Sequence, residues 1–457
     1  MKKKLTVRET VFVASMLFVM FFGAGNLIFP VSMGQLAGAN MWAAVPGFLI
    51  TGVGLPLLGV AALGISRCDG LYSLSCRVGR PYGMFFTCLL YLTIGPFFAI
   101  PRCAGTSFTV GLSQVLPAQG PQWLYLLLFS LVFFAVALFF SLRPGKILTW
   151  VGKILNPCFL LFLAVLVAVA LVNPAARVGD VPALGDYATA PFFKGFLAGY
   201  DTMDALAALA FGIVVVQVIR DLGVKEDGAV AGHTVRAGIF SCLFMGLIYL
   251  CVTLVGVQSR GLFAPAENGG VALAQIARHY LGTPGLFVLA ATVTLACLKT
   301  AIGLITSCAE AFAGIFPKGP GYRLWAVIFS AGSFLFANFG LNSIIAWSAP
   351  VLMFLYPLAI VLILLALGGG LFDNDRRVYV LTVACTFVGA VYDLLRSLPA
   401  GARSFLHLDT PLAVVGRVLP LSGYGLGWLC PAAVGLVAGI VWHLVRRPKK
   451  KQKAGAR

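Results

Sequence analysis

The chain has 457 residues, of which 60% are hydrophobic and 11% charged. A soluble domain is about one-quarter charged, so this composition excludes a water-soluble fold and makes the bilayer its solvent. The formal net charge of +18 would suit nucleic acid as a partner, but the placement of the charges assigns them to a membrane surface instead.

Twelve apolar stretches, most near or above the roughly 20 residues needed to cross a bilayer, run from one end to the other. They cover 10–36, 42–65, 84–112, 123–142, 147–172, 196–219, 238–257, 285–316, 324–339, 344–367, 378–395 and 426–445. The pattern predicts a single all-α polytopic membrane domain of about twelve transmembrane helices. The third stretch is interrupted by Pro96 and Pro101, and the ninth is short. The first follows Met1-Lys2-Lys3-Lys4 as a secretory signal would, but it is too long for one and reads as a retained helix.

Assigned alternately to the two sides, the N-terminus and every second loop hold 24 of the 33 Lys and Arg residues, and the opposite side holds seven. This asymmetry predicts that both termini are cytoplasmic, with the basic tail 446–457 facing anionic lipid. The remaining two cations, Arg102 and Lys299, fall inside spans. The largest outer segments are 173–195, 258–284 and 396–425; within the second, 267–280 reads as a helix, either a cap over an external mouth or a plain surface helix. The eleven cysteines lie mostly within spans and show no metal spacing, so they read as packing residues. With no phosphate loop, HExxH or nucleophile elbow, neither enzyme activity nor a cofactor is expected.

Backbone broken at membrane depth separates a carrier from a packed bundle. Phe21-Phe22-Gly23-Ala24-Gly25-Asn26 places two glycines and an asparagine midway along the first span, all poor in a helix interior. An unwound segment there leaves amide and carbonyl groups available for a carboxylate and a cation; the alternative is a close contact between small residues of two helices. A second weak point is read at 205–212, five spans further on. Interruptions at corresponding places in two five-helix halves point to an inverted-repeat transporter with a midplane site.

These residues also carry a resemblance. Phe22-Gly23-Ala24-Gly25-Asn26-Leu27-Ile28-Phe29-Pro30, Gly95-Pro96-Phe97-Phe98-Ala99-Ile100-Pro101-Arg102, Gly199-Tyr200, Thr202-Met203-Asp204-Ala205-Leu206, Cys308-Ala309-Glu310 and Pro350-Val351-Leu352 resemble the bacterial branched-chain amino acid:cation symporters of transport system II. Val31 and Thr109 depart from that pattern, standing where a second proline and an acid are expected. The resemblance implies a LeuT-like fold in the bacterial inner membrane. Its first five-helix repeat would be 10–172, its inverted second repeat 192–367, and two further helices would lie within 378–445. It also implies uptake of leucine, isoleucine and valine with sodium, or alternatively with protons.

A zwitterionic substrate needs donors for its carboxylate, acceptors for its ammonium and an apolar pocket for its side chain. The amides around Gly23, Ala24 and Gly25, with the half-helix starting at Asn26, are candidates for the first. Carbonyls from Ala207 and Ala208 to Ala210 are candidates for the second, and Phe22, Phe97, Phe98, Met203 and Phe211 for the third. Arg102 is expected to pair with Asp204 or Asp201, which would share one face of the sixth span one helical turn apart. For sodium, Gly303, Thr306 and Ser307 would face carbonyls near Val19 and Phe22, as LeuT-like carriers imply. The two hydroxyls could instead bond to their own helix. Lys299, near the same face, would repel sodium when charged or could itself carry a proton. A channel or a membrane-bound sensor remains a rival class, and no nucleic acid or obligate protein partner is expected.

Overall fold

The computed structural model describes residues 5–23, 25–66, 68, 70–117, 119–143, 160–224 and 226–446. The start of the fifth predicted span and most of the basic tail lie outside these residues, as does Ala24.

The first span is two helices, α1 (Val7–Phe21) and α2 (Gly25–Ala37). A capping box starts α1: the Glu9 amide donates to the Thr6 hydroxyl, and the Thr6 amide donates to the Glu9 carboxylate. Pro30 sits inside α2 and has no N–H to give the Asn26 carbonyl, so the opening turn of α2 is short of hydrogen bonds. The second span joins α3 (Met41–Leu49) and α4 (Leu55–Ser66) through a wide π-turn at Ile50–Gly54. After the short α5 (Leu71–Ser75), the third span joins α6 (Arg80–Leu92) and α7 (Ala99–Val110). It is kinked where Gly95 leaves helical geometry and Pro96 follows.

Next come α8 (Gln122–Leu142) and α9 (Leu160–Val172). A short α10 (Asp186–Thr189) precedes the sixth span, which runs through α11 (Pro191–Ala198), a 3-10 turn at Gly199–Thr202 and α12 (Asp204–Asp221). The remaining elements are α13 (Asp227–Ser259), α14 (Gly269–Ile315), α15 (Tyr322–Ala337), α16 (Leu341–Gly368), α17 (Arg376–Ser397), α18 (Ala400–Phe405), α19 (Asp409–Val418) and α20 (Leu429–Arg446). Gly282, at φ 67°, divides α14 into a shorter first helix and a long apolar one. The helix before Gly282 is the one read at 267–280; Gly269, Gly270, Leu273 and Ile276 are buried, Gly269 against the backbone of Ile28 in α2.

Among the described residues, seven helices are long and apolar enough to cross a membrane, eight if the bent pair α11–α12 is one span, and shorter apolar helices lie at Leu160–Val172, Tyr322–Ala337 and Leu429–Val445. The protein is thus all-α and polytopic. The break in the sixth span is not where the sequence suggested. Residues 205–212 are regular helix, as strings of Ala and Leu favour, and the interruption lies just before them, where Met203 takes a left-handed φ of 61°.

Small residues decide how closely the broken first span approaches its neighbour. A Cβ on Gly34 of α2 would strike the Thr253 carbonyl of α13, and one on Gly256 of α13 would strike the Val31 carbonyl. Each glycine lets one backbone lie in the groove of the other. Gly34→Val is therefore expected to force the pair apart, at about 1–3 kcal/mol for overpacking. The check is a thermal melt of the detergent-purified variant, with a melting temperature lowered by several degrees expected and an unchanged one refuting the close approach.

Candidate functional site

The two breaks meet. Between α1 and α2 the Gly23 amide donates to Oδ1 of Asn26 at 2.9 Å, and the Asn26 amide donates to the Gly23 carbonyl at 3.2 Å. The same side chain then crosses to the other break. Its Nδ2 donates to the Asp204 carboxylate at 2.5 Å and to the Tyr249 hydroxyl, which donates in turn to that carboxylate at 3.4 Å. Asn26, Asp204 and Tyr249 are 2%, 4% and 0% exposed. Asp204 opens α12, so the positive end of the helix dipole also supports its charge. A buried carboxylate without such donors would cost several kcal/mol by order of magnitude.

Arg102 reaches the second break from α7. It donates to the Asp201 carbonyl at 2.6 Å and the Thr202 carbonyl at 3.4 Å, and its guanidinium lies over the Phe29 ring at 5.0 Å. The expected ion pair with Asp204 or Asp201 is thus replaced by bonds to the carbonyls at the end of the 3-10 turn. The left-handed Met203 also separates the two carboxylates that one continuous helix would have placed on one face. Asp204 lines a cavity of about 370 Å³; Asp201 lines another of about 260 Å³, with Lys194 and Glu267. Arg102 and Phe29 stand between the two, Arg102 on the wall of the first and Phe29 on the wall of the second.

Of the residues singled out from the sequence, Gly23, Gly25, Asn26, Arg102, Met203, Asp204, Ala207, Phe211, Gly303 and Ser307 line the larger cavity, and so does Lys299. Others do not. Phe22 stacks on Phe18 at 4.9 Å, Phe97 packs edge-on against Phe336 of α15 at 5.0 Å and Phe98 at 6.3 Å, and Ala208 is buried against Gly59 of α4. Thr306 is half-buried outside the cavity wall. Val19 lies within α1, its side chain outside the described residues, as is Ala24. The carbonyls from Ala207 to Ala210 belong to an intact helix, and that of Ala210 accepts from the Tyr91 hydroxyl at 3.1 Å.

Sequence reasoning passed over Tyr249, Thr300, Ile94 and Met16. Tyr249 had a signal, since a phenol deep in an apolar span must find a polar partner. Thr300 had a weaker one. Its Oγ1 lies 3.6 Å from where a Cβ on Gly23 would stand, which puts α14 directly beside the first break.

A profile of the branched-chain amino acid transport protein family matches residues 6–446. The chain is 52% identical over 434 residues to the branched-chain amino acid permease BrnQ of Lactobacillus delbrueckii subsp. lactis, covering 95% of this chain and 96% of that one. It is 40% identical to the permease BraB of Bacillus subtilis strain 168, covering 99% of both chains. Among solved structures it shares the fold of Mhp1, a nucleobase-cation-symport-1 family transporter, at a TM-score of 0.62 and 14% identity, covering 95% of this chain and 92% of that one. It also shares the fold of MhsT in complex with L-phenylalanine, at 0.56 and 16% identity, covering 96% and 98%.

Arg102 ties α7 to the end of the 3-10 turn, and this has a direct consequence. Arg102→Ala removes the group that spans the two carbonyls and is expected to lower substrate uptake at least about tenfold, as losing a buried charge-assisted bond implies. Adding Asp204→Asn should restore nothing, because the two charges are not partners. Recovery of uptake in the double variant, measured in proteoliposomes, would reinstate the ion pair.

Proposed function

Because the chain belongs to the branched-chain amino acid transport protein family, we propose that it imports leucine, isoleucine and valine across the bacterial inner membrane by symport with sodium. Both termini lie in the cytoplasm, and twelve helices cross the membrane, with 10–172 and 192–367 as inverted repeats and 378–445 as the two additional helices. The relatives are named as permeases and carriers rather than enzymes.

The observation that carries the reading is the Asn26–Asp204 contact on the wall of the 370 Å³ cavity, where two broken spans bring one fixed carboxylate to an otherwise largely apolar surface. Asp204 accepts the substrate ammonium. Phe211, Met203, Ile94 and Phe21 surround the aliphatic side chain, and a polar side chain there would lose its hydrogen bonds to water without replacement. The same wall separates valine from isoleucine only weakly, since one methylene is worth about 1–3 kcal/mol at most.

For the coupling ion, Gly303 and Ser307 on the wall of α14 support an oxygen cage with Thr306 and the carbonyls of Val19 and Phe22. Coupling to protons is the second reading, favoured by one observation: Lys299 lines the same cavity.

Three measurements test these statements. Asp204→Asn should weaken leucine binding about tenfold or more, the loss of a charge-assisted bond to the ammonium. Unchanged binding would remove Asp204 from the site. Counterflow of labelled against unlabelled leucine in proteoliposomes is expected of a carrier; its absence alongside non-saturating flux would mean a channel. For the ion, Thr306→Ala with Ser307→Ala should raise the sodium concentration giving half-maximal leucine uptake. Sodium-independent uptake in the parent, lost in Lys299→Ala, transfers coupling to protons.

A further inference from the structure

The groups around the larger cavity can be sorted by what already satisfies them. The Asp204 carboxylate accepts from Asn26 and Tyr249, and Arg102 is committed to the carbonyls of Asp201 and Thr202. The Gly23 amide, one of the donors expected to hold a substrate carboxylate, is taken by Asn26 Oδ1 at 2.9 Å. On the Gly25 side the Arg102 guanidinium lies 3.0 Å from where a Cβ would stand. The backbone nest at the first break is therefore largely filled by the protein's own side chains.

Lys299 is different. It lines the same cavity from α14, is half-buried, and forms no hydrogen bond or ion pair among the described residues. Its neighbour in sequence, Thr300, abuts Gly23, so Lys299 stands at the level of the first break rather than at a membrane surface. An ammonium at that depth is expensive and calls for a counter-charge. The cavity wall holds two cations, Arg102 and Lys299, against the one carboxylate of Asp204, so the missing counter-charge is an anion.

We propose that Lys299 forms the ion pair with the carboxylate of the transported amino acid. This rests on the amino-acid carrier reading above and deepens it. The substrate lies between α12 and α14, with its ammonium on Asp204 and its carboxylate on Lys299. The four-carbon stem of the lysine gives the ammonium reach and rotational freedom, so it can follow a carboxylate as helices shift. The pair also accounts for a cation with no protein partner among the described residues, since a permanent partner would compete with the ligand.

The experiment uses the full-length carrier in lipid nanodiscs and displacement of labelled leucine by two ligands, unlabelled leucine and isopentylamine, which is leucine without its carboxylate. In Lys299→Gln the affinity for leucine should fall about tenfold or more while that for isopentylamine stays within about twofold, and Lys299→Arg should keep most of the leucine affinity. Lys299→Met, of similar length and apolar, applies the same criteria if the glutamine variant fails to insert. Unchanged leucine affinity in the neutral variants, or equal weakening of both ligands, overturns the proposal. Loss of uptake with leucine affinity intact also overturns it and assigns Lys299 to the coupling step. A wild-type carrier that binds none of leucine, isoleucine and valine refutes the carrier reading itself, a result distinct from normal wild-type binding that ignores Lys299.

Discussion

The architecture turns on one hydrogen bond, from the Asn26 side chain to the Asp204 carboxylate at 2.5 Å. Two helices broken at membrane depth each expose backbone groups that hydrocarbon cannot satisfy. Asn26 answers for the first break by accepting the Gly23 amide and for the second by donating to Asp204. A side-chain amide suits this position because it accepts through one atom and donates twice through the other. Aspartate in its place would add a second buried negative charge beside Asp204. Leucine would leave the Gly23 amide and the carboxylate without this partner. Tyr249 of α13 closes the triangle, so the two breaks are tied to a continuous helix that does not itself unwind.

The same economy governs the contact that stands between the two cavities. The 3-10 turn at Gly199–Thr202 presents carbonyls at its end, and the left-handed Met203 stops the chain from covering them with the next helical turn. A guanidinium, with several donors in one plane and a face that stacks on Phe29, meets that arrangement in a way a lysine ammonium would not. The contact is to carbonyls rather than to a carboxylate, so parting it breaks hydrogen bonds but no direct ion pair. Carbonyl–guanidinium contacts of this sort can be replaced by contacts to water at modest cost.

The helices were legible because hydropathy is a property of whole segments, and the long helices among the described residues fall close to the apolar stretches of the sequence. The break in the first span was legible too, since glycine and asparagine in a row declare themselves. The second break was not: Gly199 to Met203 holds one glycine, and nothing local marks Met203 as left-handed. The alanine-rich run after it looked weak only because it lacks bulk, whereas alanine is the best helix former. For the same reason the aromatic residues misled. Phe97 and Phe98 stand beside a kink, as pocket residues would, but the kink turns Phe97 toward Phe336 of α15. Which face a kinked helix presents depends on its neighbours, and a single sequence does not state them.

Charge in the cavity connects substrate to ion. With Lys299 and Arg102 on its wall and Asp204 already held by two donors, the cavity wall carries an excess of positive charge and is by itself a poor host for a further cation. Under the ion pair proposed for Lys299, a zwitterionic substrate changes that balance locally rather than in total. Its carboxylate covers the lysine beside Gly303 and Ser307, while its ammonium sits across the cavity on Asp204. The sodium position proposed at α14 then faces a neutralised lysine. Seven residues separate Lys299 from Thr306, roughly 10 Å at 1.5 Å per residue, close enough for a buried charge to be felt with little screening. On these two proposals each ligand would improve the site for the other. Such reciprocal improvement is what thermodynamic coupling requires of two sites, and here it needs no contact between substrate and ion.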